Sequence, residues 1–292
     1  MTGRASNPVA GALWMISAAM SLVTMAILVR YLTPKYHVLE LIFVRNVVNL
    51  ALMIPWLAAA GLAALKTERP GAHAVRNLFL YGGNIAWYLG VTLVPLGELA
   101  ALQFTMPIFT VIMAGIVLRE HIGLHRALVV GAGFAGTLII VRPGAVEIGA
   151  GPFVVLAAAF LYSCAYVVTK QLSRTDTGNQ VVFYMSLFIL LFSAIPAAFV
   201  WRTPDFADAI PLIATGVSGY ATHYCVTRSL ASADASYVVP FDFLRLPLSV
   251  GFGLVLFAEP LEPWTWLGAA VIFAAAYYNT WRESKLGNDP RR

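Results

Sequence analysis

The chain has 292 residues, of which 60% are apolar before glycine is counted and only 11% are charged. Soluble domains run at about 45–50% apolar and about 25% charged, so this composition excludes an ordinary soluble domain and points to a chain solvated mostly by lipid. The net charge of +5 punctuates apolar runs instead of forming a patch, which argues against nucleic acid as a partner. Cys164 and Cys225 lie inside apolar runs and read as small packed residues, not as a disulfide framework.

Ten apolar segments follow one another along the chain: 9–31, 37–59, 73–93, 97–118, 124–141, 150–172, 179–201, 209–230, 233–257 and 263–281. Each is long enough to cross a hydrocarbon core of about 30 Å, for which a helix needs about 20 residues. Short polar loops separate them, marked by Pro34, Lys35, Lys66, Pro70, Pro143 and Asp176. The opening "MTGRASNP" leads into a run too long for a cleavable signal peptide, so none is expected.

Taken in order, these spans carry their polar residues in patterns. The second holds Glu40 and Arg45. The third places Asn77, Tyr81, Asn84 and Tyr88 at i, i+4, i+7 and i+11, a polar and aromatic stripe on one helical face. Gln103 lies in the fourth. The fifth contains "VVGAGFAGTLII", in which Gly131, Gly133 and Gly136 have the G-x-G-x-x-G spacing of a dinucleotide-binding turn, followed by Glu147. That turn needs a strand before its glycines, and here the apolar run is unbroken from Leu124 to Val141. Small residues four apart (Ala127, Gly131 and Ala135; Ala132 and Gly136) instead predict close packing against another membrane helix, with Gly131 at the contact. The sixth span adds Tyr162, Tyr166 and Thr169, the eighth Tyr220, Tyr224 and Thr227, and the ninth Asp242 and Arg245, one helical turn apart. Trp56, Trp201, Trp264 and Trp281 mark span ends as interfacial anchors.

With the N-terminus in the cytoplasm, thirteen Lys and Arg residues fall at the inner ends of spans and four at the outer ends, Arg30, Lys35, Arg142 and Arg202. This bias predicts that both termini are cytoplasmic. The two halves are also copies of each other. "ISAAMSLVTMAILVRYLT" (16–33) aligns with "LAAAFLYSCAYVVTKQLS" (156–173), matching Arg30 to Lys170. "YGGNIAWYLGVTLVPLGELA" (81–100) aligns with "VSGYATHYCVTRSLASADAS" (217–236), setting Asn84 opposite Tyr220, and "VLRE" (117–120) answers "LFAE" (256–259). Five spans per copy is an odd number, so the second copy must be inserted upside down. The expected fold is an all-α integral membrane protein of ten transmembrane helices in two inverted five-helix repeats, 9–141 and 150–281, followed by a cytoplasmic tail at 282–292. Inverted repeats are common in secondary transporters, whose substrate site lies between the repeats near mid-membrane.

The segment "PLGELAALQFTMPIFTVIMAGIVLREHIGLHRALVVGAGFAGTLIIVRPG" (95–144) resembles the signature stretch of the EamA-type drug/metabolite transporters, and "ASADASYVVPFDFLRLPLSVGFGLVLFAEPL" resembles its partner half. The resemblance implies a ten-helix export carrier of the bacterial inner membrane, and within the family it leans towards the amino-acid exporters, including those for aromatic amino acids; the alternative is an uptake or efflux carrier for another metabolite, a nucleobase, vitamin or drug. Asp242 and Arg245 stand where the first half has Gln103 and Met106.

The residues give a coarser account of the same site. Asn77, Tyr81, Asn84, Tyr88, Gln103, Tyr162, Tyr166, Tyr220, Tyr224 and Asp242 are the expected lining of a cavity for a small amphipathic or zwitterionic solute, since polar groups at this depth face protein or water. Helix-to-helix hydrogen bonding without a ligand is the plainer alternative for any one of them, and an internal ion pair is the plainer reading of Asp242 with Arg245. No cofactor or metal is expected, and the chain is expected to act as a monomer. "GVSGY" (216–220) resembles the serine motif of intramembrane proteases. Its only neighbouring histidine, His223, lies on the same helix about 140° away, so no catalytic dyad closes. His121 and His125 share a helical spacing without an apparent third ligand. A transporter, not an enzyme, is expected.

Overall fold

The computed structural model describes residues 7–117, 124–142, 149–172 and 175–287. Arg119, Glu120, His121, Glu147, Arg174 and the expected tail beyond 287 lie outside the described residues, as does the His125 side chain. Twelve α-helices are described: α1 (Pro8–Leu32), α2 (Val38–Ala60), α3 (Pro70–Leu93), α4 (Leu96–Gln103), α5 (Met106–Val117), α6 (Leu124–Val141), α7 (Gly151–Leu172), α8 (Gly178–Val200), α9 (Ala209–Ser232), α10 (Ala235–Asp242), α11 (Arg245–Phe257) and α12 (Pro263–Gly287). Six stretches, in α1, α2, α4–α5, α7, α8 and α10–α11, are long and apolar enough to cross a membrane by composition alone. The long helices α3 and α9 are less apolar because they carry the polar stripes. These helices make ten passes.

Twelve helices give ten passes because the fourth and ninth are each interrupted, a feature the continuous apolar runs did not predict. Pro107 has no N–H, and its ring excludes the carbonyl of Gln103; Pro247 does the same to Phe243. In each case the chain tightens into a turn just before the proline. The N–H groups of Phe104 and Thr105 donate three residues back, to Ala101 and Leu102, and those of Phe243 and Leu244 donate to Pro240 and Phe241. The breaks meet inside the bundle, where the Phe104 and Phe243 rings lie 5.3 Å apart and Phe273 of α12 packs 4.3 Å from Phe243.

Helix contacts obey the exchange of one half for the other. α1 packs on α9 as α7 packs on α3; α2 touches α9 as α8 touches α3; α1 lies along α10 and α11 as α7 lies along α4 and α5. α2 with α8, and α6 with α12, close the two sides. α6 approaches α12 through Gly136, while Gly133 is seated against Ile108 of α5. A β-carbon on Gly136 would lie 2.8 Å from the Gly268 carbonyl oxygen, and one on Gly268 would lie 2.5 Å from that of Gly136. The sequence placed Gly131 at this contact. Instead Gly131 and Ala135 are exposed and nothing lies within 4 Å of a β-carbon on Gly131, because the face that meets α12 is Gly136 and Ile140.

Each end of the bundle is tied across the halves. Where α1 finishes, Lys35 Nζ donates to both Asp208 carboxylate oxygens (2.9 and 3.0 Å), and the Tyr36 hydroxyl donates to the same group at 2.9 Å. At the opposite end the roles of the halves are swapped. The turn before α8 supplies Asp176, which accepts from Thr67 Oγ1 and lies 2.9 Å from His73 Nε2. The Lys35 hydrogen bond holds the Asp208 carboxyl below its usual value, and the same bond holds the lysine above its own.

Two outcomes are expected. Gly136→Leu should lower the melting temperature and yield of the purified protein, overpacking of this kind costing about 1–3 kcal/mol or more, while Gly131→Leu should leave both near wild type. A depressed carboxyl contributes stability above the unfolded value of about 3.9 and loses it as pH falls through the lower folded value. A raised lysine contributes below about 10.4 and loses it as pH rises through the higher one. The melting-temperature deficit of Asp208→Asn should therefore be constant between about pH 5 and 9 and shrink on acidification below about pH 4.

Candidate functional site

Four helices, α2, α3, α7 and α9, surround a polar centre. Asn84 on α3 is buried and accepts a hydrogen bond from the Tyr162 hydroxyl of α7 at 3.0 Å, and the Tyr162 ring lies flat against Gly83. One turn along α3, Tyr88 is fully buried with the Arg45 guanidinium of α2 5.5 Å from its ring centroid. Arg45 in turn lies over Gly219 of α9, where a β-carbon would come 3.5 Å from Arg45 Cδ. At Gly216 it would come 2.5 Å from Val48. The glycines of "GVSGY" thus serve the close approach of α9 to α2. The charge of Arg45 reaches both Tyr162 and His223. His223 itself keeps an exposed side chain.

An adjoining narrow cleft of about 20 Å³ lies between α1, α3, α4 and α11, lined by Leu22, Trp87, Gln103, Arg245 and Ser249 among others. It is far smaller than the usual small-molecule pocket of about 300–1,000 Å³. Gln103 ends α4 and turns a buried Nε2 without a partner towards it. Arg245 opens α11, with its guanidinium 4.0 Å from the Phe104 ring centroid and its Nε 3.6 Å from Asp242 Oδ2.

The structure therefore gathers Asn84, Tyr88 and Tyr162 around Arg45, with Gln103 and Asp242 beside Arg245. The other candidates lie elsewhere. Asn77 accepts from Arg76 Nη1 and donates to the Tyr184 carbonyl, so both ends of its amide bind α3 to α8. Tyr81 packs on Phe192 of α8 and its hydroxyl has no partner. Tyr166 is 55% exposed, and Tyr224 is 47% exposed, stacked on half-buried Tyr220 and edge-on to Trp14. Reading the sequence for stripes on α3, α7 and α9 passed over α2, where Asn46 and Asn49 are buried beside Arg45 and each has a carbonyl oxygen without a partner. Their spacing within one apolar span was the available signal.

One end of this centre is sealed. Where α1 finishes, Arg30 Nε donates to the Val91 carbonyl at 2.7 Å, and its terminal nitrogens reach the Val94 carbonyl and pair with Glu259. Glu259 also accepts the Leu96 N–H at 2.7 Å. This clasp joins α1, the α3–α4 connection and the end of α11, and above it α4 packs on α11 with Gly97 seated against Val250. The exchanged pair, α5 with α10, makes no contact of that extent among the described residues. The exchanged clasp would use Lys170 and Glu120, and Glu120 lies outside the described residues.

The Asp242–Arg245 pair is long for a hydrogen bond, and the Asp242 side chain is 31% exposed. Asp242→Asn should therefore cost about 1 kcal/mol or less in stability, not the roughly 3–5 kcal/mol of a buried pair that loses one member. Chemical denaturation of the purified variant measures the difference.

Known proteins share this arrangement. The EamA-like transporter family matches the chain twice, over residues 9–142 and 149–281. A riboflavin transporter of Rhizobium johnstonii is 30% identical over 98% of this chain and 95% of its own. One from Vibrio cholerae is 29% identical over 96% of each. An S-adenosylmethionine uptake transporter of Rickettsia prowazekii is 27% identical over 91% of this chain and 92% of its own. A protein of known crystal structure superposes with a TM-score of 0.65 over 94% of this chain and 98% of its own, at 18% identity, which shows a shared fold. With its two repeats matched across nearly all its length, the chain belongs to the EamA-like transporter family of drug/metabolite carriers.

Proposed function

We propose that this transporter carries a planar heteroaromatic metabolite of the vitamin class, with riboflavin as the first candidate, by alternating access across the bacterial inner membrane. The observation that carries this is the 30% identity to a riboflavin transporter, which runs through both repeats and so includes the segments around Asn84, Tyr88 and Tyr162. Tyr88, Tyr162 and Trp87 offer apolar ring faces, and Asn84, Gln103 and Arg45 offer hydrogen bonds, a combination suited to a flat ring system with polar edges. The relatives favour this over the amino-acid export suggested by the sequence, since those named here carry riboflavin or S-adenosylmethionine.

With the N-terminus cytoplasmic, as the lysine and arginine bias suggests, the Arg30–Glu259 clasp faces outwards. The separated α5 and α10 then face the cytoplasm, giving an inward-facing state. The repeats 9–141 and 150–281 are proposed to rock against each other about the Phe104–Phe243 contact. In proteoliposomes, labelled riboflavin should enter saturably, be displaced by unlabelled riboflavin, and be indifferent to excess phenylalanine. Phenylalanine counterflow without riboflavin uptake would restore the amino-acid assignment.

A further inference from the structure

Among the arginines inside the bundle, Arg45 is unusual in meeting only an aromatic side chain, that of Tyr88, with no carboxylate or carbonyl among the described residues to hold it. Arg30 is held by Glu259 and two backbone carbonyls, Arg76 by Thr169, Asn77 and the Val181 carbonyl, and Arg245 by Asp242 and the Phe104 ring. Arg45 is 8% exposed and sits about 10 Å along α2 from Val38. It forms no ion pair with any described residue, and its Nε is enclosed without a partner, Tyr88 being the side chain it meets. The atoms around it are in the same condition. The carbonyl oxygens of Asn46 and of Asn49, on the same helix, have no partner. Gly219 lies against its aliphatic stem, where a β-carbon would stand 3.5 Å from Arg45 Cδ.

Arginine cannot shed its charge by deprotonation, and a cation at this depth is costly to hold. A guanidinium kept there without an anion, beside further unpaired polar atoms, is arranged to be completed from outside the chain. The guanidinium is a rigid planar fork of donors, which matches two acceptor atoms side by side on a flat edge.

On the footing of the heteroaromatic carrier described above, we propose that Arg45 is the specificity-determining residue of the transport site. It receives the solute edge that carries two adjacent acceptors: a carbonyl oxygen with a neighbouring ring nitrogen, or the oxygens of an aromatic carboxylate. The solute ring then lies towards Tyr88 and Tyr162, and the Asn84–Tyr162 pair fixes the opposite wall. A solute presenting an ammonium group to this edge is rejected by charge.

The test compares wild type with Arg45→Met, Arg45→Gln and Arg45→Lys, as purified protein and in proteoliposomes. Melting temperature is measured alone, with riboflavin, and with benzoate, a flat ring carrying paired acceptor oxygens. Removing an unpaired charge should leave the unliganded melting temperatures of the Met and Gln variants unchanged or raised, which the loss of a structural arginine would not do. Both ligands should stabilise wild type and fail to stabilise those variants, and riboflavin uptake should fall by about tenfold to a hundredfold, as expected for a lost charged hydrogen-bond pair. Arg45→Lys should fold and lie between them, and it decides the matter if the neutral variants do not fold: wild-type ligand shifts in Arg45→Lys would overturn the proposal. So would neutral variants that melt lower yet keep their ligand shifts, or that carry riboflavin at the wild-type rate. If wild type takes up no riboflavin, the vitamin assignment fails by itself. A benzoate shift lost in Arg45→Met would then still support Arg45, and a wild type stabilised by neither probe would overturn it.

Discussion

A helix can be interrupted within a bilayer only where its freed backbone groups are kept from lipid, and that constraint organises this molecule. Pro107 and Pro247 each force such an interruption, so the two breaks have to be buried. They are placed against one another, with Phe104 on Phe243 and Phe273 closing the third side. Everything else in the bundle is arranged around that contact. α1 and α7 lie along the broken passes, α3 and α9 bring the polar stripes to the same level, and α6 and α12 close behind them with two glycines in backbone contact.

The same scarcity of partners in lipid explains the ends. Loops that leave the membrane regain water, yet Asp208 and Asp176 are buried, 1% and 9% exposed, and each bridges the two halves. One is completed by a lysine and a tyrosine, the other by a histidine and a threonine. The repeats have thus diverged in chemistry while keeping the task of joining one half's first turn to the other half's second loop.

The ten passes were legible because lipid imposes long apolar runs, and the polar loops between them have short, recognisable signatures. The interruptions were not, because a proline inside an apolar run leaves the run apolar; only the matching positions of Pro107 and Pro247 in the two halves hinted at them. Small residues on the fifth pass fit several registers, and α12 decides that Gly136 is used and Gly131 is not. Asn84 and Tyr88 share a stripe on α3 and lie near Tyr162, yet Asn77 on the same stripe is taken up by Arg76 and the Tyr184 carbonyl, neighbours that spacing cannot reveal. Arg45 was visible as an ion in a membrane span. Its lack of a carboxylate among the described residues is a spatial fact, as are the ties of Tyr36 to Asp208 and His73 to Asp176, which span 172 and 103 residues of chain.

Among the described residues α4 packs on α11 without an equivalent contact of that extent between α5 and α10, which makes the two faces of the carrier energetically unequal. Two conformers related by exchange of the repeats would be equally populated if the halves were identical. Each bond present at one end alone tilts that balance, and about 1.4 kcal/mol of tilt is a tenfold ratio of populations. Solute arriving at the sealed side must first wait for the rarer conformer, so its apparent affinity there is reduced by the fraction of molecules that are open to it. A symmetric site in an asymmetric scaffold can in this way load tightly from one side and weakly from the other, while the direction of net flux still follows the gradients across the membrane.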